Sequence, residues 1–158
     1  MTNLGELGEL AQAEGDLVSA RELLEESLTQ SRALGTRRET ACRLAALGRL
    51  ALAEGDLKEA QRRLSDAIAL AVELGAQPVV TEAAEGLAAV AAAGGDAYRA
   101  ARWLGAASSL REAMGTALLP SLRSGHDAAW AAVQETLGDE EAERAVAEGR
   151  ALSLEELG

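Results

Sequence analysis

Few side chains in this sequence have the chemistry of a reactive site. His126 is the only histidine and Cys42 the only cysteine. A structural zinc site draws on about four nitrogen or sulfur ligands, which these two residues cannot supply. His126 reads as a surface residue of a capping helix. Cys42 has no histidine near it in sequence to draw off its proton, so it reads as a small interior or groove residue. The run Asp139, Glu140, Glu141 and Glu143 carries the oxygens of a cation site, but acids at a helix start more simply offset the helix dipole. Glu82 and Glu85, three apart, share one face of a helix and form a candidate carboxylate pair. General acid–base work would also need burial to raise a pKa beside a substrate pocket, and no motif provides one. Gly94-Gly95 is a turn rather than a nucleotide loop, because no strand precedes it. The chain reads as a non-enzyme with no metal and no cofactor.

A repeat sets the elements that must hold these residues. AEGDL at 13–17 returns at 53–57 and again as AGGDA at 93–97, a step of 40 residues. A fixed period of this length signals stacked helical units. Leu7, Leu47 and Leu87 fall in register, as do Ala20, Ala60 and Ala100, and Leu24, Leu64 and Leu104. Each unit reads as two helices. The first closes at Gly15, Gly55 or Gly95, suited to a left-handed cap. Asp16, Asp56 or Asp96 then caps the second, which stops at Gly35, Gly75 or Gly115. About two residues separate the helices, so each pair folds back antiparallel. Small residues at 8, 48 and 88 and at 20, 60 and 100 let the helices approach, and Leu24, Leu64 and Leu104 fill the space beside them. Pro78 and Pro120 sit at helix starts.

Composition agrees. Hydrophobic residues make up 48% of the chain but aromatics only 2%, with no Phe, so the interior is built from Leu and Ala and leans to all-helix. The net charge of −11 opposes binding to phosphate backbones and to anionic membranes. The charge is uneven: 36–75 carries seven basic residues against six acidic, while 1–35 and 116–158 are strongly acidic. No apolar run reaches the ~18 residues of a membrane span. A lone cysteine permits no intrachain disulfide and fits a reducing cytoplasm. Lys58 as the only lysine, with heavy Ala, Gly and Arg use, points to a GC-rich bacterial coding sequence.

The pattern Leu7, Gly8, Gly15, Asp16, Leu17, Ala20, Leu24, Ser27 resembles the tetratricopeptide repeat. Leu4, Ala11, Leu17 and Leu24 stand where that family often has aromatics. The period exceeds the usual 34 residues, implying longer helices. AARWLGAASSLREAMG at 100–115 and AEGRALSLEEL at 147–157 further resemble the C-terminal sensor region of bacterial LuxR-type and STAND ATPase transcriptional regulators. These likenesses imply an all-α, right-handed α-α superhelix. Three hairpins (1–35, 36–75 and 76–115, together 1–115) would be followed by a degenerate capping hairpin over 116–158. The cap would hold helices from Pro120 to about Leu137 and from Asp139 to about Glu148, then a last one capped by Ser153.

In such arrays the first helix of each pair lines the concave side. The resemblance therefore assigns a groove to Glu6, Glu9, Gln12, Cys42, Arg49, Glu82 and Glu85, floored by Ala45, Ala53 and Ala89. Arg49 would hold a partner's carboxylate. The implied function is non-catalytic binding of a protein or peptide, as an interaction or regulatory scaffold. The alternative is a small-molecule inducer-sensing arm of a regulator whose ATPase and DNA-binding parts lie elsewhere, since the chain has no phosphate-binding loop. Trp103, Trp130 and Tyr98 are candidate anchors, with Trp103 read as packing against the cap. The first helix begins almost at Met1 with nothing to cover Leu4, Leu7 and Leu10. The expectation is a fragment, a short paralogue, or a homodimer through that face.

Overall fold

The computed structural model describes residues 3–158; Met1 and Thr2, near which the first helix was placed, lie outside them. Eight helices follow one another: α1 (Leu4–Ala13), α2 (Leu17–Leu34), α3 (Arg37–Ala53), α4 (Leu57–Leu74), α5 (Gln77–Ala93), α6 (Ala97–Met114), α7 (Pro120–Arg150) and α8 (Leu154–Leu157). The described residues form no strands, and successive helices pack as hairpins of an all-α solenoid.

The turns inside the hairpins follow one plan. Gly15, Gly55 and Gly95 have φ of 84°, 81° and 84°, where a Cβ would be penalised. The next residue, Asp16, Asp56 or Asp96, sends its backbone N–H back to the carbonyl of Ala11, Ala51 or Ala91 at 2.9, 2.9 and 2.8 Å. Its carboxylate accepts the N–H of Ser19, Glu59 or Arg99 at 3.1, 3.0 and 3.0 Å. One aspartate thus ends one helix and starts the next, which is why this dipeptide recurs. Three residues lie between the helices rather than two, because Glu14, Glu54 and Gly94 serve as C-caps. Pro78 and Pro120 occupy first-turn positions of α5 and α7, where a missing N–H breaks no bond.

Small residues bring the helices together as their spacing requires. A Cβ on Gly8 would lie 2.7 Å from Leu24 Cγ, and one on Gly48 2.5 Å from Leu64 Cγ. Leu64 also meets Gly86 of α5, so one side chain joins three helices. Burying a leucine contributes about 1.5–3 kcal/mol, and this one has no exposed surface. The residues at 47 and 87 are each 1% exposed, because a preceding helix covers them, whereas Leu7 is 37% exposed and Leu10 also faces solvent.

The C-terminal segment closes the stack. The φ of 76° at Gly138 breaks α7 into two limbs. The second reaches Arg150, two residues beyond the expected end at Glu148. This limb crosses α6 very closely: a Cβ on Gly105 would collide with the Val146 carbonyl, and one on Gly149 with the Arg102 carbonyl. Ser153 then caps α8 in a reciprocal box with Glu156, at 3.1 and 3.3 Å. The short helix turns back onto α4, placing Leu157 in the main core. Trp103 lies partly buried against both core clusters. No helix among the described residues is long and apolar enough to cross a membrane.

Candidate functional site

The inner helices α1, α3 and α5, with the first turns of α7, enclose a cleft of about 520 Å³. Leu52, Ala53, Gly86 and Ala89 give it an apolar floor, and Glu9, Gln12, Arg49, Ser121, Ser124 and His126 give it polar walls. Small residues at 53, 86 and 89 leave the space open. At its near end Arg43 donates to Glu9 at 3.0 Å, and its guanidinium lies across Gly5, where any Cβ would collide with it. Arg49 is 17% exposed and reaches Glu9 only at 4.0 Å. Its Nε is buried with no hydrogen-bond partner among the described residues. A desolvated guanidinium with unmet donors is placed to donate to a carboxylate or carbonyl.

At the far end Glu85, 4% exposed, ties three helices together. Arg111 of α6 donates from Nη1 to its Oε1. His126 of α7 places Nδ1 3.0 Å from Oε2 and 3.2 Å from Oε1. An ionised carboxylate only accepts, so Nδ1 is the donor and Nε2 is the nitrogen left over. Burying a carboxylate is tolerable only with such partners. The contact also fixes where α7 crosses the inward face. His126 is therefore half-buried in the cleft wall rather than at the surface, because Glu85 draws it inward.

Glu82 lies one turn before Glu85 and behaves differently. Among the described residues it has no ion pair and no hydrogen bond to its carboxylate. Burial pushes its carboxyl above the usual range; Arg49 and Arg43 counter this, while Glu9 adds to it. It lines a smaller cavity of about 150 Å³ between α5, the end of α6 and the 116–119 connection, with Pro78, Met114, Leu118, Leu119 and Leu122 as apolar walls. Cys42 is half-buried on α3. Burial first, and then Glu82, raise its thiol above the ordinary value, which disfavours the nucleophilic thiolate.

Of the seven groove residues expected from sequence, Glu9, Gln12, Arg49 and Glu85 line the larger cleft and Glu82 the smaller cavity. Glu6 is exposed on α1, and neither it nor Cys42 is among the residues lining these two spaces. Glu82 and Glu85 share a helix face but not a task, since Arg111 and His126 take up Glu85. Sequence reasoning missed Arg111, Ser121, Leu122 and His126. Arg111 comes from α6, and the other three enter through the aperiodic approach of α7, for which Pro120 is the one local signal. No three of His, Cys, Asp and Glu converge as a metal set among the described residues.

Residues 1–71 match the family model described as Tetratricopeptide repeat, and over that stretch the chain is similar to a family that generally mediates protein–protein interaction. No curated protein and no solved structure matches the chain.

Proposed function

We propose that this chain is a non-catalytic binding module that holds a peptide or protein segment along its inward face. The observation that carries this reading is the open cleft across α1, α3 and α5, with the half-satisfied Arg49 set above an apolar floor. In this reading Glu6, Glu9, Gln12, Cys42, Arg49, Glu82 and Glu85 mark the groove, and Arg49 takes a carboxylate or carbonyl of the partner. The units 1–35, 36–75 and 76–115 act as one right-handed superhelix, with 116–158 as its cap, in the cytoplasm of a bacterium. Because the cleft is formed before binding, little ordering is needed on the protein side. The net charge of −11 argues against nucleic acid and anionic membrane as partners.

The test is a peptide display library selected on the wild-type protein, with the enriched peptides then titrated against Arg49→Glu. The expected result is a loss of affinity of at least about tenfold with helical circular dichroism retained. Unchanged affinity would remove Arg49 from the site. The exposed Leu7 and Leu10 are assigned to self-association, since their counterparts in α3 and α5 are covered by a neighbouring helix. Sedimentation of a folded monomer at high concentration would sink that assignment. The second reading, a small-molecule inducer-sensing arm of a transcriptional regulator of the LuxR or STAND type, calls for a closed apolar cavity of roughly several hundred Å³, and the cavity beside Glu82 measures about 150 Å³.

A further inference from the structure

Three acids of the inner helices α1 and α5 face the cleft or the cavity beside it, and two of them are ion-paired. Glu9 has Arg43 and Arg49, and Glu85 has Arg111 and His126. The third, Glu82, is half-buried and makes no hydrogen bond or ion pair among the described residues. It lines a cavity whose other walls are mostly apolar: Pro78, Met114, Leu118, Leu119 and Leu122. Arg111 also lines this space, but its charge is engaged by Glu85. Arg49 and Arg43 act on its charge through space, but neither donates a hydrogen bond to it, so in that setting the carboxylate is short of donors.

We propose that the cavity beside Glu82 is a binding site for a primary ammonium group carried on a short alkyl stem. The ammonium would donate to the Glu82 carboxylate while the stem lies against Met114, Leu119 and Leu122. An ammonium fits because it supplies three donors to a carboxylate that has none. An alkyl stem fits because such chains bury their methylenes while the charged head seeks polar contact. The same chemistry comes from two sources: a free alkylamine, or a lysine side chain of a bound peptide. This site is read through Glu82→Gln with small amines and the cleft through Arg49→Glu with selected peptides, so the failure of one is distinguishable from the failure of the other.

The experiment titrates n-pentylammonium and n-pentanol into the full chain, followed by backbone amide resonances. A parallel arm uses a short alanine peptide bearing one lysine, and its norleucine counterpart. The wild-type protein is expected to bind the amine about tenfold more tightly than the alcohol, with shifts centred on Thr81, Met114 and Leu119. Glu82→Gln should erase that preference and leave pentanol binding unchanged. Met114→Trp, which fills the cavity but keeps Glu82, should block both probes. If the lysine peptide binds in a Glu82-dependent way, the source is a partner's side chain; if only pentylammonium does, it is a free amine. Equal affinity for amine and alcohol, a preference that survives Glu82→Gln, or no saturable binding of either cationic probe would overturn the proposal.

Discussion

Gly149 lies directly against the backbone carbonyl of Arg102, and three residues closer to the start of α7 the Val146 carbonyl lies against Gly105. The contact is reciprocal. Each helix offers a glycine to the backbone of the other, so α6 and α7 approach without side chains between them. The two stretches that the sequence resemblance singled out, 100–115 and 147–157, meet here. Arg150 strengthens the seam by bonding Glu112 at 2.5 and 3.2 Å.

Gly149→Ala therefore places a methyl group onto a carbonyl that cannot move without displacing its helix. The expected loss is about 1–3 kcal/mol by overpacking, read from the urea midpoint. Gly55→Ala is the contrasting case, because a Cβ there meets nothing within 4 Å. Its loss of about 1–2 kcal/mol would come from the left-handed backbone alone.

Ala60 has no exposed surface and belongs to the small-residue register of the hairpins. Ala60→Leu should destabilise by about 1–3 kcal/mol. An unchanged melting temperature would mean that the α3–α4 seam can yield where the packing says it cannot.

Glu85→Ala leaves Arg111 partly buried without its counter-charge, for a loss of about 3 kcal/mol. Removing both charges in Glu85→Met with Arg111→Met should recover most of it. A double mutant as unstable as the worse single mutant would show that the carboxylate does more than neutralise Arg111.

Glu82 sets a pH dependence of defined sign. Its carboxyl is raised above the ordinary glutamate value, chiefly by burial. A raised acid favours the folded state below its unfolded pKa, and that contribution is lost as pH rises through the folded value. Glu82→Gln, which never ionises, should be more stable than wild type at neutral pH, with the gap closing below about pH 4. Urea midpoints of both proteins at the two pH values measure the gap; one that widens on acidification would contradict the assignment.

The hairpins were legible in the sequence because each depends on residues close along the chain. Gly-Asp at 15, 55 and 95 encodes a cap within a few residues, and the small-large pairs recur at the same step. Those signals repeat, so each copy corroborates the others. Glu85 was legible as an inward position, but its partners were not. Arg111 and His126 lie 26 and 41 residues away, and His126 belongs to a segment with no counterpart elsewhere in the repeat. Where α7 crosses the groove is decided by that buried contact together with the Gly105–Gly149 approach, neither of which has a periodic signature. Cys42 and Glu82 were read alike as groove residues. They differ in what surrounds them, and pattern alone carries no information about that.

Leu64 reaches into notches on both α3 and α5, and this has a mechanical consequence. A leucine pinned between two glycines belonging to consecutive hairpins acts as a bolt through the stack. Neither hairpin can swing away without first withdrawing that bolt. A tug on either of these two hairpins would accordingly be passed to the other through that single side chain.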